Sequence, residues 1–167
     1  MQEYVTNALI LRKDTLGEFD GRYTLFTERF GKIVGKTKSS RKITSKLAPH
    51  LEPGMVSKVR ILETKGTQLI DALKSDRTSA SINGLYALNQ LLPEGEPEPS
   101  LWTMVQNKQL NWKNILRVLG WDPEDAICVT CGAHAPEYFY VPRQEFYCRR
   151  DASKLRRDAV ISIHAEL

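Results

Sequence analysis

Apolar and polar residues alternate in short runs through the first 75 positions. Val5 to Arg12, Tyr23 to Thr27, Lys32 to Lys36, Met55 to Leu62 and Gln68 to Leu73 each read as a strand of five to eight residues. Gly17, Gly21, Gly31, Pro53-Gly54 and Gly66 punctuate them. Five such strands with one long connection predict a small β-barrel of the oligonucleotide-binding (OB) type, with an SH3-like barrel as the structural competitor.

The period changes after Asp76. Ile82, Leu85, Tyr86, Leu88, Asn89 and Leu92 repeat every three to four residues and predict a helix. The stretch PEGEPEP, Pro93 to Pro99, is an acidic connector that no helix crosses, because proline lacks the N–H and clashes with the preceding turn. Leu101, Trp102, Met104 and Val105 predict a second short helix, and Trp112, Ile115, Leu116 and Leu119 a third. Asn111 stands where an N-cap belongs and Gly120 where a C-terminal stop belongs. These apolar residues read as core, and three short helices make a thin layer that leans on its neighbours for burial.

Composition narrows the class. The chain has 167 residues, 41% of them hydrophobic, which suits one sizeable domain or two small ones. No apolar run approaches the ~18 residues of a membrane-spanning helix. The N-terminus has an early acid and no basic region before its apolar run, so it reads as a strand and not a signal peptide. Three cysteines make no disulfide framework. The expectation is a soluble, cytoplasmic protein.

The formal net charge of +4 is unevenly placed. Residues 1–75 carry fourteen basic and eight acidic side chains, residues 76–127 four and seven, and residues 128–167 six and five. The excess concentrates in Arg29 to Lys46, which has seven basic residues and no acid. A basic strand and loop suits a polyanion such as a nucleic-acid backbone, since each phosphate contact releases counterions. A solvated loop without a partner is the plain alternative.

Cys128-x2-Cys131 is followed after sixteen residues by Cys148, and Asp151 comes three positions later. The spacing is that of a zinc ribbon whose fourth ligand is a carboxylate, which zinc accepts. His134 is the rival fourth ligand, and a ribbon that has lost its metal is the alternative. Four candidate ligands leave no open position for water, so the site reads as structural. Beyond it, Arg149, Arg150, Lys154, Arg156 and Arg157, interrupted by Asp151 and Asp158, read as a solvated helix face.

Catalytic patterns are incomplete. Gly35-Lys36-Thr37 resembles the end of a phosphate-binding loop, but the required glycine five positions earlier is Phe30. His50, His134 and His164 have no serine or carboxylate partners in a nucleophilic arrangement. The expectation is a protein that is not an enzyme.

The order of motifs resembles the bacterial RecO family over nearly the whole chain. It runs through Leu16-Gly17-Glu18-Phe19-Asp20, Thr24-Leu25-Phe26-Thr27 and Gly31-Lys32-Ile33, then the basic loop and Leu47-Ala48-Pro49-His50-Leu51-Glu52-Pro53. Leu116-x2-Leu119-Gly120-Trp121-x-Pro123 then leads into Cys128-x2-Cys131-Gly132. Two departures stand out. The helical middle is shorter than is typical of the family. Asp151 replaces the ribbon's last cysteine, and Gln144-Glu145-Phe146-Tyr147 replaces a glycine pair.

The resemblance implies an α+β protein: a five-stranded OB-fold barrel (1–75), a short helical domain (76–127), a zinc-ribbon-like element (128–152) and a C-terminal segment packing on the helices (153–167). It implies a DNA repair and recombination mediator that binds single- and double-stranded DNA, anneals complementary strands and helps load recombinase onto DNA coated by single-strand-binding protein. RecR and the C-terminal tail of the coating protein are the implied partners, and the nucleoid the implied location. Arg12 and Lys32 are expected phosphate contacts on the family pattern, and Lys36, Lys38, Arg41, Lys42 and Lys46 on charge alone. Tyr23 or Phe26 is a candidate for stacking on bases, though Phe26 reads better as core. Zn²⁺ on Cys128, Cys131, Cys148 and Asp151 is the expected cofactor. An RNA-binding or ribosome-associated module, and an adaptor for an acidic protein partner, are the alternative readings.

Overall fold

The structure, a computed structural model, describes residues 1–38 and 45–167. Its first half is a closed barrel of five strands, β1 (Gln2–Leu16), β2 (Asp20–Thr27), β3 (Gly31–Thr37), β4 (Met55–Glu63) and β5 (Thr67–Arg77). They follow one another around the barrel in the order β1-β2-β3-β5-β4, the OB order. All five expected strands are present, each longer than its alternating core. β3 and β5 run parallel and meet at one register pair, Lys36 and Gln68, whereas the other neighbours are antiparallel.

One long strand makes closure possible. Gln2 to Leu9 of β1 pair with β4, and Ala8 to Leu16 pair with β2. Ala8 and Leu9 pair on both sides, and a bulge between Ile10 and Arg12, within the β2 pairing, bends the strand and increases its twist. Strand alternation, with a bulge at Ile70 of β5, sends Ala8, Ile10, Tyr23, Leu25, Val59, Ile61, Leu69 and Ala72 into the barrel core. A 3-10 turn at Ala48–His50 delivers Leu51, fully buried, to the same core. Gly35 has room for no side chain, because a Cβ there would fall 2.7 Å from Leu69 Cγ.

The opposite face of the barrel carries Leu9, Leu11 and Phe26 into a second core shared with three helices. These are α1 (Ile82–Leu91), α2 (Pro99–Gln106) and α3 (Trp112–Val118). Each begins on a side chain that accepts an orphan backbone N–H: Ser81 from Gly84, Glu98 from Ser100, and Asn111 from Asn114. Helix α3 stops at Gly120, whose φ of +98° is the left-handed conformation glycine adopts freely. The Gly120 and Trp121 amides then donate back to the Arg117 and Leu116 carbonyls. The expected cap and stop are both in place.

A small antiparallel sheet completes the fold, with β6 (Tyr138–Tyr140) between β7 (Glu145–Tyr147) and β8 (Val160–Ser162). Phe139, fully buried, packs with Trp121 and Phe146 at ring separations of 5.6 and 5.0 Å, which ties this sheet to the helical core. The last residues thread between the helices: the Trp112 amide donates to the Ala165 carbonyl, and the Ser81 amide to the Leu167 carbonyl.

One expectation needs correction. Arg149, Arg150, Lys154, Arg156 and Arg157 are solvated but do not share a helix face, because α4 spans only Arg149–Ala152. The chain turns there so that Leu155 and Val160 can pack against Cys128, Tyr147 and Ala152. Among the described residues no helix is long and apolar enough to cross a membrane.

Candidate nucleic-acid interface and candidate metal centre

Two facing registers put cations on one outer face of the barrel. Asp14 pairs with Arg22 and Arg22 with Lys36; one step along, Arg12 pairs with Thr24 and Thr24 with Val34; next, Phe26 pairs with Lys32. Since Tyr23 and Leu25 point inward, the intervening Arg22 and Thr24 point outward. The face opens into a cleft of about 270 Å³ lined by Arg12, Arg22, Lys32, Thr24 and Val34 together with Asp14, Asn89 and Glu94.

The cations are held differently. The Arg12 Nε donates to Asp14 Oδ1 at 2.9 Å, and its guanidinium lies 5.8 Å from the centre of the Tyr86 ring. Carboxylate and ring together fix its plane, within the range of a cation–π contact. The Lys32 Nζ donates to the Asn89 carbonyl at 3.0 Å, one of the orphan carbonyls at the end of α1, so part of its work is to seat that helix. Lys36, Lys38 and Lys46 are exposed. Arg41 and Lys42 lie outside the described residues.

Tyr23 and Phe26 are both fully buried, Tyr23 in the barrel and Phe26 against the helices. Neither offers a ring to a base, because both are consumed as core. Arg22 is the residue that sequence reading overlooked. Extending the alternation of β2 one position before Tyr23 identifies it as outward-facing.

The second site is the cysteine cluster. The Gly132 amide donates to the Cys128 carbonyl, and the Cys128 amide to the Ala133 carbonyl, both at 2.8 Å, which folds residues 128–133 into a tight knuckle. The Val129 amide donates to the Phe146 carbonyl and docks the knuckle on β7. Cys148 and Asp151 come from the start of α4. The ligand atoms of Cys128, Cys131, Cys148 and Asp151 all lie within 4.8 Å of one another. His134 is exposed and is not part of this group.

The spacings fit a tetrahedral ion. Cys131 and Cys148 Sγ are 3.8 Å apart, and Asp151 Oδ2 lies 3.4 Å from Cys148 Sγ and 3.6 Å from Cys128 Sγ. A tetrahedron with arms of ~2.3 Å to sulfur and ~2.0 Å to oxygen has edges of about 3.8 and 3.5 Å. Asp151 is 3% exposed, and burial of a carboxylate needs charge partners. Lys154 at 3.0 Å, then the thiols and Arg150, hold its carboxyl below the usual carboxylate range. The Ala133 amide favours the Cys131 thiolate, but Cys128 and Asp151 outweigh it and push this thiol up to about 11. Four anionic donors would crowd one another, so the Cys131 thiol keeps its proton, and a divalent cation is the counter-charge that would let all four ionise. The cluster is compatible with a metal site.

Barrel, helical layer and ribbon define an OB-fold protein with an appended three-cysteine, one-aspartate cluster. The family model described as "Recombination protein O N terminal" matches residues 1–76. A DNA repair protein RecO of Myxococcus xanthus is 30% identical over 119 residues, covering 64% of this chain and 49% of the relative. One from Dehalococcoides mccartyi is 30% identical over 154 residues, covering 77% and 61%. One from Thermodesulfovibrio yellowstonii is 26% identical over 176 residues, covering 90% and 70%. Most of the chain is thus similar to DNA repair proteins RecO, and its first 76 residues match the family's N-terminal part. It spans about half to two thirds of the length of the first curated relatives it matches.

Proposed function

We propose that the chain is a non-enzymatic DNA-binding protein of repair and recombination, acting as a mediator that brings complementary strands together. The observation that carries this reading is the row of Arg12, Arg22, Lys32 and Lys36 on one accessible barrel face of a chain similar to RecO proteins. OB barrels use the face of strands two and three for oligonucleotides. Lys38, Lys46, Arg41 and Lys42 continue the basic sequence past the end of β3. The mechanism is electrostatic: phosphates of two mutually repelling strands displace counterions onto one cationic surface, and the strands are held long enough to pair. No covalent step is involved.

Under this reading the protein works in the cytoplasm at the nucleoid. RecR, recombinase loading and the tail of single-strand-binding protein are its proposed partners and setting, following the family. Zn²⁺ is the proposed cofactor, held by Cys128, Cys131, Cys148 and Asp151. Its role is structural: it closes the knuckle on α4 and leaves no position for a reacting water.

The test is fluorescence anisotropy of a labelled single-stranded oligonucleotide across a salt series. The protein should bind at low salt, with a log–log slope of several units. The triple variant Arg22→Ala/Lys36→Ala/Lys38→Ala should flatten that slope by about 2, at ~0.7 for each phosphate no longer neutralised. An unchanged slope overturns this placement of the interface, and no binding at low salt overturns the function. Salt-sensitive acceleration of annealing between complementary oligonucleotides separates a mediator from a generic binder.

A further inference from the structure

We infer that Cys131 and Cys148 form an oxidation site, in which a peroxide joins the two sulfurs and opens the cluster. The three thiols are unequal. Cys128 is 1% exposed, packed with Tyr147 and Ala152, and tied at both its amide and its carbonyl. Cys131 is exposed, and Cys148 is intermediate. Their sulfurs stand 3.8 Å apart on the solvent side of the cluster. Arg150, more than 70% exposed, stands beside Asp151 at the same cluster.

Closing that gap to a bond of ~2.05 Å requires one sulfur to travel almost 2 Å. The knuckle can supply the movement. Every residue from Val129 to Ala135 is exposed, and nothing lies within 4 Å of where a Cβ on Gly132 would stand. Cys148, by contrast, begins α4, whose Ala152 amide donates to its carbonyl. Cys131 therefore moves toward Cys148 while Cys128 stays seated.

The chemistry balances with hydrogen peroxide as oxidant. The Cys131 sulfur attacks one peroxide oxygen and breaks the O–O bond, and the thiol proton passes to the departing oxygen, which gives a sulfenic acid and water. The Cys148 sulfur then attacks that sulfur, and the departing hydroxyl leaves as water with the Cys148 proton. Two sulfurs lose one electron each, and the peroxide gains two. Cys128 and Asp151 are left as the only two donors, too few to hold a tetrahedral ion, so a bound metal departs as the dication. A ribbon with four cysteines can pair all of its thiols. Here the aspartate guarantees that one thiol, Cys128, is left over.

The experiment treats purified protein with stoichiometric hydrogen peroxide, with a chromogenic chelator present, and maps the cysteine peptides by mass spectrometry. The expected result is a Cys131–Cys148 disulfide, a free Cys128, release of metal in step with the disulfide, and reversal by dithiothreitol. A disulfide that includes Cys128, or over-oxidation of Cys131 without any disulfide, overturns the proposal. Release of metal rests on the zinc reading; formation of the disulfide does not. Protein that carries no metal from the start should still yield the same peptide map, so failure of the zinc reading and failure of the oxidation site are told apart. Cys128→Ser should keep the disulfide, and Cys131→Ser should abolish it.

Discussion

The Phe26 and Trp102 rings lie 5.9 Å apart at an interplanar angle of 55°, and this pair joins the barrel to the helical layer. Both side chains are at most 4% exposed, yet the Trp102 Nε1 has no hydrogen-bond partner among the described residues. Trp102→Ala should cost ~3–5 kcal/mol through the cavity it leaves. Trp102→Phe removes an unsatisfied donor that itself costs ~1–3 kcal/mol, which offsets much of the lost volume. Urea unfolding should therefore place Trp102→Phe close to the parent protein. Equal losses for the two variants would sink this account of the indole.

Gly31 and Gly17 share a left-handed backbone, with φ of +64° and +63°. They differ in surroundings. A Cβ on Gly31 would occupy the space of the Glu96 backbone, whereas nothing lies within 4 Å of one on Gly17. Gly17→Ala should cost only the ~1–2 kcal/mol of the strained conformation. Gly31→Ala should cost more, because the acidic connector is pinned there by a hydrogen bond from the Gly95 amide to the Lys32 carbonyl. Thermal unfolding of the two variants side by side reads the difference.

Lys32 and Lys36 should separate stability from binding. Lys32→Met loses the hydrogen bond to the Asn89 carbonyl at the end of α1 and should destabilise by ~1 kcal/mol. Lys36→Met touches an exposed side chain and should leave the unfolding free energy within ~0.5 kcal/mol. Both should weaken binding to DNA. A drop in stability for Lys36→Met as large as that for Lys32→Met would contradict the assignment.

Asp151 should be the fourth metal ligand and His134 should not. Asp151→Asn is expected to weaken zinc at least ~10-fold in competition with a chromophoric chelator, and Asp151→Cys to restore or tighten it. His134→Ala should change nothing. The reverse order of effects would hand the position to His134.

Asp151 also predicts an acid response of the metal-free protein. Lys154, the thiols and Arg150 lower its folded-state pKa below the unfolded value near 3.9. A depressed carboxylate contributes stability above the unfolded pKa and loses it as pH falls toward the folded one. Chelator-treated protein should thus lose thermal stability as pH drops below ~4, and Asp151→Asn should lose less over the same window. Parallel curves for the two proteins would count against this source of acid sensitivity.

Much of the architecture is legible in the chain because local chemistry and global fold agree. Period-two runs between glycines mark the barrel strands, Ser81 and Asn111 cap helices that start where the period changes, and Gly120 ends α3. Cysteine spacing brings Cys128, Cys131, Cys148 and Asp151 together. The binding face is harder to read. Leu9 and Leu11 face the helices, so strict alternation would turn Arg12 into the barrel, and the bulge between Ile10 and Arg12 puts it in the cleft. An aromatic at the strand position of Tyr23 looks the same in sequence whether it stacks on a base or fills the barrel. Only closure of the sheet settles which side is inside.

The double use of β1 also sets an order of events. Its second half meets β2 across a short turn, while its first half waits for β4, so that Gln2 must find Glu63. Contacts between distant residues cost more chain entropy and form more slowly than local ones. On a ribosome, the β1–β2–β3 meander can therefore assemble while half of its first strand still has no neighbour. That exposed half-strand stays an open edge, able to recruit other chains, until residues 55–63 emerge to cover it.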